Sequence, residues 1–439
     1  MDLPCAQIPA EQEILSEADN NERINNIVRA ASLLYTNGQT TRLVVSETIR
    51  LANAYGYEAH IQPQWDAIHC RFRPLGAHSQ AWRFEMINNA RPTGVDMNKV
   101  TLTNRLIDRI SQQSESITQA QVAHHSGQFK QIASLKPCNP VRFVVMAGFG
   151  AVALGLIFGA TNWSTISFIF LAAMIGATLR QVLSRLSDNL FVQAFVAALA
   201  AGVVGGIAQR LFNEVFLQFA VIAPCMILVP GPHILNASLD LLRGRIGLGV
   251  SRMVYASMIL LSICAGLLIG LLLVNSTLTE SMIPAKVPLW LDMLAAGVAI
   301  AAFGAFFSLT WAMLSVPILV GMFCHASHWW ILQNGGGVAL ATLVACLISG
   351  TVTTFLSRKM KIPFAALAFC TIVSMMPGIY VFKFASSVVD IYLAGDATSL
   401  SMLNNVVSYG VGTLIIVMAM TFGLIVPKML IDSLKPVEG

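Results

Sequence analysis

The sequence predicts an α-helical membrane protein of ten transmembrane helices, arranged as two inverted five-helix repeats with broken helices and preceded by a small N-terminal α+β cytoplasmic domain. Three observations carry this expectation: a shortage of charge, a series of apolar runs long enough to span a bilayer, and a Pro-Gly pair that interrupts two of those runs. Of the 439 residues, 56% are hydrophobic and 11% charged, where soluble proteins carry roughly 25% charged residues. The charge is also unevenly placed. Residues 1–140 hold 13 basic and 13 acidic side chains, which leaves 14 basic and 9 acidic for the remainder. The net charge of +5 therefore belongs to the apolar part, where a basic excess is a topology signal and not the footprint of a nucleic acid.

The opening stretch carries Asp2, Glu11, Glu13, Glu17, Asp19 and Glu22, with no base before Arg23 and no apolar core. A cleaved signal peptide is not expected from such a pattern, and residues 1–21 read as a disordered acidic N-terminus. Residues 22–135 read as the cytoplasmic α+β domain. Ile24, Ile27, Val28, Ala31 and Leu34, then Leu43, Val44, Thr48 and Leu51, recur at helical spacing, with Asn37-Gly38 marking the turn between two helices. Tyr57 to Arg73 alternates as strands do, around a turn near Pro63. A further strand near Trp82 to Ile87 and amphipathic helices over 97–113 and 115–133 complete the domain. His60, His69, His78, His124 and His125 share this segment with Ser46, Glu47, Asp66, Cys70 and Asp96, but no GxSxG or HExxH spacing joins them. A gating or assembly role is therefore expected ahead of catalysis. Eight scattered cysteines without a CxxC pair read as reduced, packed thiols, and neither a metal nor a cofactor is expected.

A helix crosses a bilayer with about 17–25 apolar residues. Ten such runs follow, over roughly 141–160, 163–180, 190–208, 213–236, 252–274, 289–309, 311–331, 336–356, 362–385 and 405–426. They group into a first repeat at 141–275 and a second at 286–428. With the N-terminal segment inside the cell, the inner loops collect Arg180, Arg185, Arg243, Arg245, Arg252, Arg358, Lys359, Lys361, Lys428 and Lys435, while Arg210, Lys286 and Lys383 fall at the outer ends. That bias fixes an orientation with both termini cytoplasmic.

The fourth and ninth runs contain Val229-Pro230-Gly231 and Met376-Pro377-Gly378, 147 residues apart. Proline removes a backbone donor and clashes with the preceding turn, and glycine tolerates conformations other residues resist, so each run divides into two half-helices. Ala208-Gln209-Arg210 and Leu356-Ser357-Arg358 close the third and eighth runs at nearly the same offset. Five helices per copy is an odd number, so the second copy enters the membrane from the opposite face. Paired inverted repeats with discontinuous helices place a substrate site where the breaks meet. Substrate-binding candidates are Pro230, Gly231, Pro377 and Gly378, together with Asn236 and Lys383, each six residues beyond its proline. Half-helix N-termini offer further donors for a carboxylate. Ionisable residues in apolar helices are costly and mark proton or substrate routes. The proton-coupling candidates are Asp240, Asp292, Asp390 and His233, and His325 and His328 add two more imidazoles, the side chain whose ordinary titration range lies nearest neutrality.

These residues resemble the threonine/serine exporter family of bacterial inner-membrane proteins. Ser32-Leu33-Leu34-Tyr35-Thr36-Asn37-Gly38-Gln39-Thr40-Thr41-Arg42 with Ala52-Asn53-Ala54-Tyr55-Gly56 is similar to that family's opening pattern. Leu228 to Arg252, through Asn236, Asp240, Gly244 and Gly249, is similar to the end of its first membrane block, and Ser374 to Tyr380 to the counterpart in the second. The resemblance implies efflux of small hydroxy amino acids driven by the proton-motive force across the inner membrane, with protons, a small-molecule substrate and lipid as partners. A similar pair of blocks, occurring as two separate proteins, is associated with dicarboxylate export, so a succinate-type substrate is the alternative. A membrane-tethered hydrolase and a scaffold or sensor are readings from other classes, and a homo-oligomer is compatible with all of them. No GxxxxGK[ST] motif occurs, which sets ATP-driven pumping aside.

Overall fold

The computed structural model describes residues 17–76, 82–113, 116–212, 215–278 and 287–434. Cys5, His78, Lys286, Lys435 and most of the acidic N-terminal segment lie outside these residues. The chain opens with α1 (Glu17–Thr36) and α2 (Thr41–Ala54), followed by β1 (Tyr57–Pro63), β2 (Ala67–Pro74) and β3 (Phe84–Asn89), then α3 (Met97–Ser111) and α4 (Gln119–Ser134). Helix α1 thus begins five residues ahead of the boundary expected at 22. The strands form an antiparallel meander in the order β1-β2-β3. Gly38 makes the α1–α2 turn with φ +92°, a left-handed conformation that glycine adopts without strain. Asp96 caps α3 by accepting from the Lys99 amide at 3.0 Å, and Thr118 and Gln121 form a reciprocal capping box on α4. Ile27, Leu34, Leu51, Phe72, Val100 and Phe129 meet in a core of the module's own.

The remaining chain is almost entirely helical: α5 (Pro140–Ile157), α6 (Trp163–Leu186), α7 (Leu190–Phe212), α8 (Phe219–Met226), α9 (Gly231–Leu242), α10 (Ile246–Leu273), α11 (Leu289–Phe306), α12 (Trp311–Gln333), α13 (Val338–Met360), α14 (Phe364–Ile372), α15 (Gly378–Ala394) and α16 (Leu400–Leu434). Nine described helices are long and apolar enough to cross a membrane, and a bent pair across the first Pro-Gly break, turning by 56°, makes ten. The second break also divides its run, into α14 with a 3-10 turn at Val373–Met375 and then α15. Several helices outrun the expected boundaries. Helix α10 starts at Ile246 instead of 252, α15 continues past 385 to Ala394, and α16 reaches Leu434 instead of 426. The almost continuous sixth and seventh runs part at Ser308, whose φ of +62° turns the chain between α11 and α12.

Small residues let these helices approach closely, as membrane helices require. A side chain at Gly202 or Gly206 on α7 would strike α10 or the chain just beyond it, and one at Gly350 on α13 would strike the Leu424 carbonyl of α16. Arg210 at the end of α7 donates to the Val274 carbonyl just past α10 at 2.9 Å. Arg358 at the end of α13 reaches Asp432 in α16 at 2.7 Å.

The N-terminal module caps one face of the helical part. The Met97 amide donates to the Phe307 carbonyl at 2.9 Å, Asn104 Nδ2 to the Lys361 carbonyl at 3.1 Å, and the Trp65 ring packs on Tyr255. Thr41 Oγ1 donates to Asp240 Oδ2 at 2.9 Å. The densest link is Asp432, on the last turn of α16. Its carboxylate lies 2.7 Å from both Arg243 and Arg358, 2.9 Å from Lys428 and 3.5 Å from Arg42 of α2. Four segments of chain converge on one buried acid.

Two predictions follow from this frame. Asp432→Ala leaves clustered cations without their counter-charge and is expected to destabilise the protein by about 3–5 kcal/mol; an unchanged unfolding midpoint for the purified variant would contradict the network's role. In the module, burial pushes the His125 imidazole below its ordinary value of 6.5, with His124 and Arg109 adding to the effect. The folded state thus binds the proton less readily than the unfolded one, so this contribution is complete above about pH 6.5 and is lost as pH falls below it. Thermal unfolding at pH 7.5 and 5.0 should show a smaller acid-induced drop in His125→Phe than in the parent chain.

Candidate functional site

The two breaks meet. Pro230 is the N-cap of α9 and Pro377 that of α15, so each Pro-Gly pair begins the second half of its run. A side chain at Gly231 would collide with the Phe369 ring of α14, and one at Gly378 with the Met226 side chain of α8. Each break is therefore seated on the first half-helix of the other run. A cavity of about 100 Å³ separates them, walled by apolar side chains including Leu235, Ile372, Val381 and Met420, with Thr413 and Thr421 as polar exceptions.

A larger cavity opens on either side of this constriction. On the module side, about 460 Å³ is enclosed by Pro230, Pro232, His233, Arg180, Gln193 and the backbone of Thr93 to Val95. His233 is buried with its ring edge-on to Tyr255 at 5.6 Å. On the far side, a second cavity of about 460 Å³ is lined by Pro377, Tyr380, Lys383, Asp292, His325 and Tyr409, among others. Asp292 on α11 and His325 on α12 are both buried, and His325 Nδ1 lies 2.5 Å from Asp292 Oδ2. His328, one turn further along α12, stacks obliquely with His325 at 5.7 Å between ring centres. Lys383 is 4% exposed, with its ammonium 5.5 Å from the centre of the Tyr409 ring.

The expected residues thus separate by place, with His233 in the module-side cavity. Pro230, Gly231, Pro377 and Gly378 form the constriction, while Asp292 and Lys383 share the far-side cavity. Lys383 is not a snorkelling residue at a membrane edge: burial and the Tyr409 face hold its ammonium in the protein. Asn236 and Asp240 line neither large cavity. Asn236 Nδ2 donates to the Gly38 carbonyl of the module at 3.2 Å, and Asp240 pairs with Arg252 at 3.0 Å and Arg245 at 3.5 Å. Both tie α9 to the module, so the equal spacing of Asn236 and Lys383 from their prolines leads to different partners. Asp390 is half-buried two turns beyond Lys383 on α15 and is not among the residues lining these cavities.

The two half-helix N-termini also differ. In α9 the Gly231 amide is bonded to the Val229 carbonyl, Pro232 has no N–H, and the His233 amide returns to the Pro230 carbonyl. Its first-turn donors are absent or used. In α15 the amides of Gly378, Ile379 and Tyr380 precede the first helical bond, from Val381 to Pro377. The Asp292–His325 pair could not be read as a pair, because its members sit on separate helices. Only the i, i+3 spacing of His325 and His328 signals that two imidazoles share one helix face.

Nine to ten described helices long and apolar enough to cross a bilayer, two of their runs interrupted, define a polytopic membrane protein, with a cavity on either side of the interruptions. The chain belongs to the threonine/serine exporter family: one threonine/serine exporter profile matches residues 25–274, and a second, threonine/serine exporter ThrE, matches residues 292–430. Comparison with curated proteins and with solved structures gave no match.

The constriction generates a prediction. Gly231→Ala forces a methyl into the rigid Phe369 ring, whereas Gly378→Ala meets the flexible end of Met226. Overpacking of this kind costs about 1–3 kcal/mol, so Gly231→Ala should lower the unfolding midpoint more than Gly378→Ala. Adding Phe369→Leu should restore part of the loss; equal effects of the two glycine substitutions would break the argument.

Proposed function

We propose that the chain is a secondary exporter of threonine and serine across the bacterial inner membrane, driven by the proton-motive force, with both termini on the cytoplasmic side. The observation that carries this reading is the mutual seating of the two breaks, Gly231 against Phe369 and Gly378 against Met226, with a cavity on either side. Any shift of one half-helix must displace the other, which is the coupling alternating access requires.

An inverted repeat underlies this arrangement in our reading. Several paired features support it. Trp163 and Trp311 open α6 and α12. The α5 and α11 ends close with the same bond, Ala160 amide to Gly155 carbonyl at 2.9 Å and Leu309 amide to Gly304 carbonyl at 2.8 Å. Helix α7 packs along α10 as α13 packs along α16.

In the far-side cavity, Asp292 and His325 hold a proton between them, and His328 extends the route toward the far face. Lys383 and the first turn of α15 receive the substrate carboxylate. A dicarboxylate would suit Lys383 equally through its first carboxylate, but the second would face Asp292, so the mixed charge of this cavity favours a zwitterion. The hydrolase reading gains no support: among the described residues of the module, no serine or cysteine is hydrogen-bonded to a histidine, and His125 is engaged by Tyr55 at 3.1 Å.

The test uses the purified full chain in liposomes loaded with labelled threonine, serine or succinate. An imposed proton gradient should accelerate loss of the two amino acids above succinate. Asp292→Asn should abolish the gradient's effect while retaining threonine/threonine exchange. Flux that ignores the gradient in the parent chain, or an Asp292→Asn variant still driven by it, would remove the coupling site.

A further inference from the structure

The module-side cavity contains a cation that the residues discussed so far do not explain. Arg180 lies on α6 six residues before its end at Leu186, which places it about 9 Å along the helix from the terminus. Its guanidinium carbon sits 4.7 Å from the Phe306 ring centre and 5.8 Å from that of Phe143. Those two rings stack on each other at 4.7 Å, making an aromatic platform beside the cavity.

Other cations held near this face have polar partners. Arg243, Arg358 and Lys428 converge on Asp432, Arg252 and Arg245 meet Asp240, and Arg142 donates to the Leu309 carbonyl at 2.9 Å. Among the described residues, Arg180 makes no hydrogen bond and no ion pair. A half-buried guanidinium against aromatic faces keeps only part of its hydration, and cation–π contact returns a fraction of what is lost. Its planar donor fork matches a carboxylate in geometry as well as charge. Asp188, exposed just beyond the end of α6, lines the same cavity. The cavity thus combines an inner cation with an outer carboxylate, the charge order of a zwitterion entering carboxylate first.

We propose that Arg180 is the carboxylate receptor of the module-side cavity, capturing the α-carboxylate of the amino acid before it passes the Pro230–Gly231 break. The Phe143–Phe306 platform orients the guanidinium, and Asp188 draws the ammonium end toward the mouth. This assignment rests on the exporter reading and gives it a loading site on the face opposite Lys383.

The experiment measures equilibrium binding of radiolabelled threonine, serine and succinate to the purified full chain and to Arg180→Gln, Arg180→Lys and Arg185→Gln. Arg185 is exposed on the same helix and does not line the cavity. Loss of a charge-assisted bond should raise Kd for the bound substrate by about 10- to 100-fold in Arg180→Gln. Arg180→Lys should lose less, and Arg185→Gln should match the parent. Threoninol, which lacks the carboxylate, should compete far more weakly than threonine in the parent chain and equally well in Arg180→Gln, a change that a packing role would not produce. If the parent binds succinate and neither amino acid, the substrate reading fails, while a succinate Kd raised in Arg180→Gln still supports the receptor. Parent-like affinity and parent-like threoninol discrimination in Arg180→Gln overturn it, as does a parent chain that binds none of the three. Should Arg180→Gln fail to fold, Arg180→Met, which also removes the charge, is judged by the same two criteria.

Discussion

Backbone groups freed inside a bilayer have no water to turn to, and that constraint governs the centre of this protein. Each Pro-Gly pair ends a helix midway along an apolar run, and an unpaired amide or carbonyl costs several kcal/mol in hydrocarbon. The molecule answers by burying each break against the other run. Helices α8 and α14 are buried at every described position, and α9 and α15 start on top of them. A single broken helix would have to be covered by unrelated surroundings. Two broken helices cover one another, with a cavity on either side.

The same arrangement explains why the N-terminal module sits where it does. Helix α9 emerges from the constriction with Asn236 and Asp240 facing the Gly38–Thr41 turn. Arg252 is buried between Asp240 and the Tyr35 ring, and burial raises the Tyr35 phenol to about 12, so it remains a neutral partner. The first break and the α1–α2 turn are thereby joined through the side chains of α9. Among the described residues the second break has no such cover: α15 runs beside Tyr409 and the far-side cavity.

Much of the frame was legible from sequence. Run lengths located the nine to ten described helices apolar enough to span a bilayer, and the two Pro-Gly pairs located both interruptions, because these features depend on composition over many residues. The module's helices and strands were readable for the same reason. Individual partners were not. Asp240 and Asp292 look alike in sequence, yet one is tied to arginines under the module and the other to His325 in a cavity. Arg180 reads as a loop charge near the end of an apolar run; its place on the Phe143–Phe306 platform depends on α5 and α11 coming together across the fold. Periodicity reports which face of a helix is apolar, and it carries no information on which distant helix that face will meet.

The Asp432 cluster has a consequence for how the chain is made. Arg42, Arg243 and Arg358 are synthesised long before the acid that joins them, which lies in the last turn of the final helix. While the chain is being inserted, Arg243 and Arg358 are unpaired cations of the kind that hold their loops on one side of the bilayer. Once α16 is in place, the same charges join Arg42 in the clasp that binds the module, α9 and α13 to the last helix. Orientation and closure are thus served in succession by one set of side chains, and a chain cut short before Asp432 would be correctly threaded and still unfastened.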